Sequence, residues 1–194
     1  MHQLSSAPPA WPARCARRSA RIATWLAALA IATCAVAADA LTADLERRLA
    51  SGGVERVNAH LLVQWTTAML PLNQQTADCE FQAVGLAMRL GRGADAKAVL
   101  AHTDALRAAV GKCTAFVLAL AAPQEVARLC SSVASWGVMQ TVRELRRRIA
   151  TIEADAGLSA SPNGAACRAA CLDELHNTRV VFRRAPPQAP RQGR

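Results

Sequence analysis

Apolar side chains recur at helical spacing along most of the chain, from about residue 42 to about residue 181. The strict alternation of apolar and polar residues that marks a half-buried strand is almost absent from the sequence. There are three Phe and no Tyr, so the core must rest on Leu, Val, Ala, Met and Trp, which favours helices over a sheet. The sequence therefore predicts an all-α fold, an antiparallel bundle of about five to six helices.

Helix-capping residues and helix breakers set the bounds of these helices. The predicted helices cover residues 43–50, 54–70, 79–90, 94–121, 123–156 and 165–181. Thr42 is expected to cap the first helix and Thr76 or Asp78 the third, because their side-chain oxygens can accept from free N–H groups. The pair Gly52-Gly53 is expected to end the first helix. Pro71 is expected to end the second, since an interior proline removes a helical hydrogen bond.

The fourth and fifth helices carry the strongest periodic pattern. Seven core-type positions within 99–120 are separated by alternate steps of four and three, which predicts one helix running through Gly111. A break at Gly111 is the alternative, because a glycine inside a helix costs about 1 kcal/mol relative to Ala. Pro123 suits the first turn of the fifth helix, which is expected to continue past an offset near Gly137. The segment 157–164 is predicted to be a loop.

The front of the chain has the pattern of an export signal. A basic stretch precedes an apolar run from Ile22 to Ala38, and the run ends in small residues of the Ala-x-Ala type. The favoured cleavage site lies between Ala40 and Leu41, and cleavage after Ala37 is the second possibility. Two alternatives are a retained membrane anchor, because the run is near the lower limit of roughly 17 residues for a spanning helix, and lipidation of Cys34.

The basic charge belongs mainly to the end of the chain. The formal charge is +9, and removal of the first 40 residues, which hold four Arg and one Asp, leaves about +6. Five of these charges are arginines at positions 179, 183, 184, 191 and 194, so the rest is close to neutral and offers no broad basic surface for nucleic acid. We therefore predict a signal peptide at 1–40, a helical bundle domain at 41–182 and a disordered, basic, Pro-rich tail at 183–194.

Five cysteines remain after signal cleavage, and we expect disulfide bonds among them. They are Cys79, Cys113, Cys130, Cys167 and Cys171. An odd number leaves one cysteine unpaired or intermolecular. In a helical hairpin, Cys113 and Cys130 would lie at similar heights, which favours that bond together with a bond from Cys79 to Cys167 or Cys171. The rival arrangement joins Cys167 and Cys171 to two of the other three, and the sequence does not choose between them.

Other candidate chemistry is weaker. Cys167, Cys171 and His176 suggest a zinc site, but the tighter Cys-x-x-Cys spacing and a second matching pair are missing, so we predict no metal and no cofactor. A free cysteine could act as a nucleophile with His60, His102 or His176. We expect His102 to lie on a helix surface and His60 at the edge of the core.

Two further groups of residues are interpreted as structural. His60 and Trp65 with Met69, and Trp136 with Met139, could line a ligand pocket, but Trp and Met at helical spacing are more typical of a core. Four arginines in the fifth helix are expected on a solvated outer face. They are Arg143, Arg146, Arg147 and Arg148.

These patterns predict an exported bacterial protein, periplasmic or secreted, that is not an enzyme. We expect it to act through contact with a protein partner, as an envelope accessory, inhibitor or immunity-type protein. The alternative is a small-molecule or cofactor carrier that uses the interior of the bundle. Membrane contact is expected only if the signal is retained or Cys34 is lipidated.

Overall fold

The computed structural model describes the backbone of residues 24–133 and 135–184, and the side chains of residues 40–133 and 135–178. This part of the chain contains helices and no strand, which confirms the all-α prediction. The α-helices are α1 (Thr24–Val63), α2 (Leu70–Ala77), α3 (Phe81–Leu90), α4 (Ala96–Val110), α5 (Thr114–Leu120), α6 (Pro123–Cys130), α7 (Val138–Ala154), α8 (Ala156–Ala160) and α9 (Pro162–Arg184). The chain divides into two compact units, residues 1–37 and 38–194, and the description below concerns the second.

Helix α1 bends at Gly53, whose φ of 74° lies in the left-handed region that glycine adopts without a steric penalty. The predicted break is therefore present at this position. The predicted cap at Thr42 is wrong, because helix α1 already includes this residue. Thr42 is instead buried, and its hydroxyl donates to Oε1 of Gln82 on α3 at 3.2 Å.

Pro71 does not end a helix as predicted. After α1 the chain forms a π-helical turn at Trp65–Met69, in which the N–H of Met69 reaches the carbonyl oxygen of Gln64 at 3.1 Å. Helix α2 begins next, so Pro71 falls in its first turn, where the missing N–H has no helical partner to lose. The chain thus accommodates the proline by widening the preceding turn.

The predicted caps of α3 are also wrong. Glu80 occupies the N-cap position in an extended conformation. The hydroxyl of Thr76 is buried at the end of α2, where it donates to the carbonyl oxygen of Leu72 at 2.9 Å. Thr76 therefore bonds back into its own helix.

The long fourth and fifth helices are both interrupted. A turn at Gly111 separates α4 from α5, so the alternative of a break is correct and the single helix is wrong. The single fifth helix is wrong as well, because residues 131–133 and 135–137 between α6 and α7 are not helical. The predicted loop at 157–164 is largely helical, and α9 begins three residues earlier than expected. Gly164 allows this tight turn, since an added Cβ would collide with the carbonyl oxygen of Leu158.

Two hydrophobic cores fill the described part of the bundle. The N-terminal core consists of Leu45, Val57, Leu61, Ala68, Met69, Leu72, Ala83, Leu86, Leu90 and Ala98. The C-terminal core is larger and is centred on residues such as Leu106, Val117, Val126, Leu129, Leu145, Ile152, Cys167 and Leu175. Helices α3 and α4 supply side chains to both cores, so they join the two halves.

Candidate binding groove and cysteine sites

A surface groove of about 590 Å³ runs along the outer side of α3. Its walls come from α1, α3, the turn after α3, and α5. The lining residues are Glu46, Phe81, Gln82, Gly85, Met88, Arg89, Arg92 and Leu120. We refer to these eight residues as the α3 groove.

The groove exists because α3 uses its opposite face for packing. The buried residues of that face belong to the cores of the bundle, and they are Ala83, Val84, Leu86, Ala87 and Leu90. On the groove side, Phe81 is 66% exposed and Leu120 is 40% exposed. The ring of Phe81 meets that of Phe116 edge to face, with 4.6 Å between the ring centres. The aromatic side chain is thus held in place while most of its surface stays in water.

Gly85 keeps the middle of the groove open. An ideal Cβ built at this position has no atom within 4 Å. A glycine inside a helix destabilises it by roughly 0.5 to 1 kcal/mol relative to Ala, and the packing of α3 does not require one here. The glycine therefore costs stability and leaves space in the groove.

The charged rim of the groove is internally paired. Arg89 forms an ion pair with Glu46 across the groove. Arg92 donates from Nε and Nη2 to the two carboxylate oxygens of Glu125 at 3.0 and 2.9 Å. This bidentate contact lowers the pKa of Glu125 and raises that of Arg92. The paired rim leaves the exposed apolar side chains as the main feature a ligand would contact.

The described cysteines form two disulfide bonds. Cys79 pairs with Cys113, with 6.2 Å between their Cα atoms, and Cys130 pairs with Cys167, with 5.3 Å. Cys171 carries a free, buried thiol. The presence of disulfides is confirmed, but both predicted pairing schemes are wrong.

The interruptions of the helices explain the different pairing. Cys113 lies in the turn after Gly111, outside any helix, where it faces Cys79 in the turn before α3. Cys79 itself has a left-handed φ of 69°. Cys130 ends α6, close to α9, and so pairs with Cys167. One bridge therefore fastens α9, and Cys167, Cys171 and Leu175 are all buried.

The predicted signal and tail lie mainly outside the described residues. Residues 1–23 and 185–194 are not described, and neither is the side chain of Cys34. At the predicted cleavage site, Ala40 is exposed and Leu41 is half-buried against the N-terminal core. The last two described residues, 183 and 184, are helical and extend α9 into the segment assigned to the tail.

His102 is fully buried, which corrects its predicted place on a helix surface. Its Nε2 lies 3.2 Å from Oδ1 of Asn58, whose Nδ2 donates to the carbonyl oxygen of Leu90 at 3.0 Å. Its Nδ1 lies 3.0 Å from Oδ1 of Asn73. Burial lowers the pKa of His102 from 6.5 to about 4, so the ring is neutral at pH 7.

The partners of His102 also define its tautomer. The bond to Leu90 fixes the amide of Asn58 with Oδ1 toward the ring, so Nε2 must carry the proton. A neutral ring then has no proton on Nδ1, which faces Oδ1 of Asn73, so a donor reaches Nδ1 only if this amide is turned over to exchange Oδ1 for Nδ2. No spacing in the sequence pointed to this arrangement, because its three members come from α1, α2 and α4. His60 is half-buried, as expected, and His176 is exposed.

Arg148 is buried as well, which corrects its predicted place on the outer face of α7. Its Nη1 donates to the carbonyl oxygens of Cys130 and Ser131, both at 2.9 Å, at the end of α6. Its Nη2 donates to the carbonyl oxygen of Arg107 on α4. The guanidinium carbon lies 5.2 Å from the centre of the Trp136 ring. The Arg148 guanidinium thus donates hydrogen bonds to carbonyl groups at the C-terminal ends of two helices, where the helix dipole favours a positive charge.

The other three arginines of α7 are exposed as predicted.

The Trp and Met pairs have different roles in the structure. Met69 is in the N-terminal core, and Lys97 lies over the ring of Trp65 at 5.1 Å. Met139 is 81% exposed, so its interpretation as a core residue is wrong.

Neither a metal site nor a spanning helix is found among the described residues. No group of three or more His, Cys, Asp or Glu side chains there is placed to hold a metal ion. The same part of the chain has no helix that is both long and apolar enough to cross a membrane.

Comparison with protein-family models, with curated proteins and with solved structures found no match to this chain. The class of protein is therefore defined by its own structure. It is a disulfide-linked α-helical bundle with a surface groove lined by both apolar and charged side chains.

Proposed function

We propose that the protein is exported, remains in the periplasm or is secreted, and acts without catalysis by binding a partner protein. The α3 groove is the proposed binding site. The proposed partner segment is an amphipathic helix that places apolar side chains against Phe81 and Leu120.

Export is supported by two independent features. The first is the basic and apolar pattern before Leu41, which is typical of a cleaved signal. The second is the pair of disulfide bonds, which persist in oxidising compartments and are rare in the cytosol. The division of the chain between residues 37 and 38 also falls close to the two candidate cleavage positions.

The exposure of Phe81 beside an open groove is the observation that carries the binding proposal. A large aromatic side chain that is two-thirds exposed and held by a neighbouring ring is characteristic of a contact surface. The lining residues on α3 run from Phe81 to Arg89 and span about 12 Å of helix, which matches about two turns of a partner helix. The paired rim charges let an apolar face enter without leaving a charge unpaired.

The binding proposal can be tested by site-specific photo-crosslinking in the producing cell. A benzophenone side chain replaces Phe81 in one variant and Leu100 in the control, because Leu100 is 54% exposed but lies on α4 outside the groove. We expect one discrete adduct from position 81 and none from position 100. Adding Gly85→Trp should abolish the adduct, since the new side chain fills the open groove.

Two results would overturn the binding proposal. One is equal crosslinking from positions 81 and 100, and the other is an adduct that persists in the Gly85→Trp variant. Far-ultraviolet circular dichroism and the melting temperature of that variant verify that the bundle is intact. Export is tested separately by cell fractionation and N-terminal sequencing, with an expected start at Leu41, and an intact cytosolic chain with reduced thiols contradicts it.

A further inference from the structure

The free thiol of the described chain lies beside a disulfide bond. Sγ of Cys171 is 3.3 Å from the carbonyl oxygen of Cys130, which is itself bonded to Cys167. Cys167 and Cys171 are one helical turn apart on the buried face of α9. Both cysteines of α9 therefore face the end of α6.

The distances permit a second bond to Cys130. A carbonyl oxygen lies about 2.4 Å from the Cα atom of its own residue, so Sγ of Cys171 is within about 6 Å of Cα of Cys130. In a disulfide bond each sulfur lies about 4 Å from the Cα atom of the partner cysteine, because the S–S bond is about 2.0 Å long, so Sγ of Cys171 needs to approach Cys130 by at most about 2 Å. A rotation of the Cys130 side chain and a small shift of α9 would place its sulfur next to that of Cys171. A bond between Cys167 and Cys171 would instead distort α9.

We propose that Cys130, Cys167 and Cys171 form an intramolecular thiol–disulfide exchange site that gives the protein two disulfide isomers. The thiolate of Cys171 attacks Sγ of Cys130, the Cys130–Cys171 bond forms, and the Cys130–Cys167 bond breaks. Cys167 leaves as a thiolate and takes up a proton, which replaces the one that Cys171 released to solvent. The exchange requires no external oxidant or reductant.

The exchange moves the point at which α6 is fastened along α9 by one turn, about 6 Å. Ser131 and Ser132 follow directly after Cys130. Arg148 donates to the carbonyl oxygen of Ser131 at 2.9 Å, and Glu174 accepts from the N–H of Ser132 at 2.8 Å. The conformation of these residues therefore depends on whether Cys167 or Cys171 is bonded to Cys130.

Burial controls the rate of the proposed exchange. It raises the pKa of Cys171 to about 11, so the reactive thiolate is scarce at neutral pH, although the nearby guanidinium of Arg148 opposes this shift. The rate should rise about tenfold per pH unit below that pKa. The Cys79–Cys113 bond has no described free cysteine beside it and serves as an internal control.

The decisive variant is Cys167→Ser in the exported full-length protein. After the thiols are blocked, non-reducing peptide mapping should show Cys130 bonded to Cys171. Two free thiols, at Cys130 and Cys171, would overturn the proposal if the Cys79–Cys113 bond is intact and the protein is folded. The matched control is Cys130→Ser, in which both cysteines of α9 should be free.

A second measurement uses the wild-type protein and does not depend on the folding of a variant. The protein is incubated between pH 7 and pH 9, its thiols are alkylated, and the label is located by peptide mapping. We expect label to appear on Cys167 as well as Cys171, with an approach to equilibrium about 100 times faster at pH 9 than at pH 7. Label confined to Cys171, or label appearing on Cys79 or Cys113, would overturn the proposal.

Discussion

The two cores of the bundle each enclose one basic side chain, but they accommodate it in opposite ways. In the N-terminal half, His102 is neutral and is held by two side-chain amides. In the C-terminal half, Arg148 is held by three backbone carbonyl groups at the ends of helices. The first arrangement avoids a buried charge, and the second uses a buried charge to satisfy the backbone where helices stop.

This difference predicts which change should destabilise each half. Protonation of His102 would place a charge among groups arranged for a neutral ring, so the N-terminal half should be sensitive to acid. Arg148 keeps its proton throughout the ordinary pH range, so the C-terminal half should depend on the presence of the side chain rather than on pH. The following expected effects are ordered from the largest to the smallest.

The two disulfide bonds should stabilise the protein almost equally. Their cysteines are separated by 34 and 37 residues, and the entropy of closing loops of this size corresponds to about 4 kcal/mol each. We expect the double variants Cys79→Ser/Cys113→Ser and Cys130→Ser/Cys167→Ser to lose similar free energy of unfolding in urea. A gap of more than about 2 kcal/mol between the two variants would show that loop entropy does not set the contribution.

Replacement of Arg148 should destabilise the C-terminal half strongly. Arg148→Met keeps the apolar stem but leaves the carbonyl groups of Cys130, Ser131 and Arg107 without this donor, at an expected cost of about 3 to 4 kcal/mol. Arg147→Met is the matched control, because Arg147 is exposed, and it should change the free energy of unfolding by less than about 1 kcal/mol. Equal effects of the two substitutions in urea unfolding would contradict this role of Arg148.

Acid should destabilise the N-terminal half through His102. The pKa is lowered from 6.5 to about 4 in the folded state, so between these values the unfolded chain binds a proton that the folded chain does not. The free energy of unfolding is therefore not reduced by His102 above pH 6.5, and it falls by roughly 3 kcal/mol as the pH drops to about 4. In His102→Gln this part of the pH dependence should disappear, and identical profiles for the two proteins would rule it out.

Gly85→Ala should give the smallest effect and the opposite sign. The added methyl group meets open space, and the loss of helical glycine should stabilise the protein by about 0.5 to 1 kcal/mol. The melting temperature should rise accordingly. Gly85→Trp, the variant used in the crosslinking test, is a second substitution at the same site. A destabilised Gly85→Ala protein would mean that the groove is not open at this point.

Local sequence patterns predicted some elements well and failed at others for identifiable reasons. The break at Gly53 and the helix start at Pro123 follow from backbone geometry alone and are present. The single helix through Gly137 was wrong, because periodicity does not reveal that Arg148 supplies hydrogen bonds to the carbonyl groups exposed by the interruption. The sequence contains the residues of the α3 groove but does not predict the exposure of Phe81, because that exposure depends on how α3 packs.

The sequence by itself determined the all-α class, the five cysteines that follow residue 40 and the buried face of α9. These properties depend on composition and on spacing along one segment, where covalent geometry and helical periodicity act locally. Only the tertiary structure decided the bonds Cys79–Cys113 and Cys130–Cys167, the burial of His102 and Arg148, and the open groove along α3. Each of these depends on distances between segments far apart in the chain, which are set by the packing of helices around shared cores.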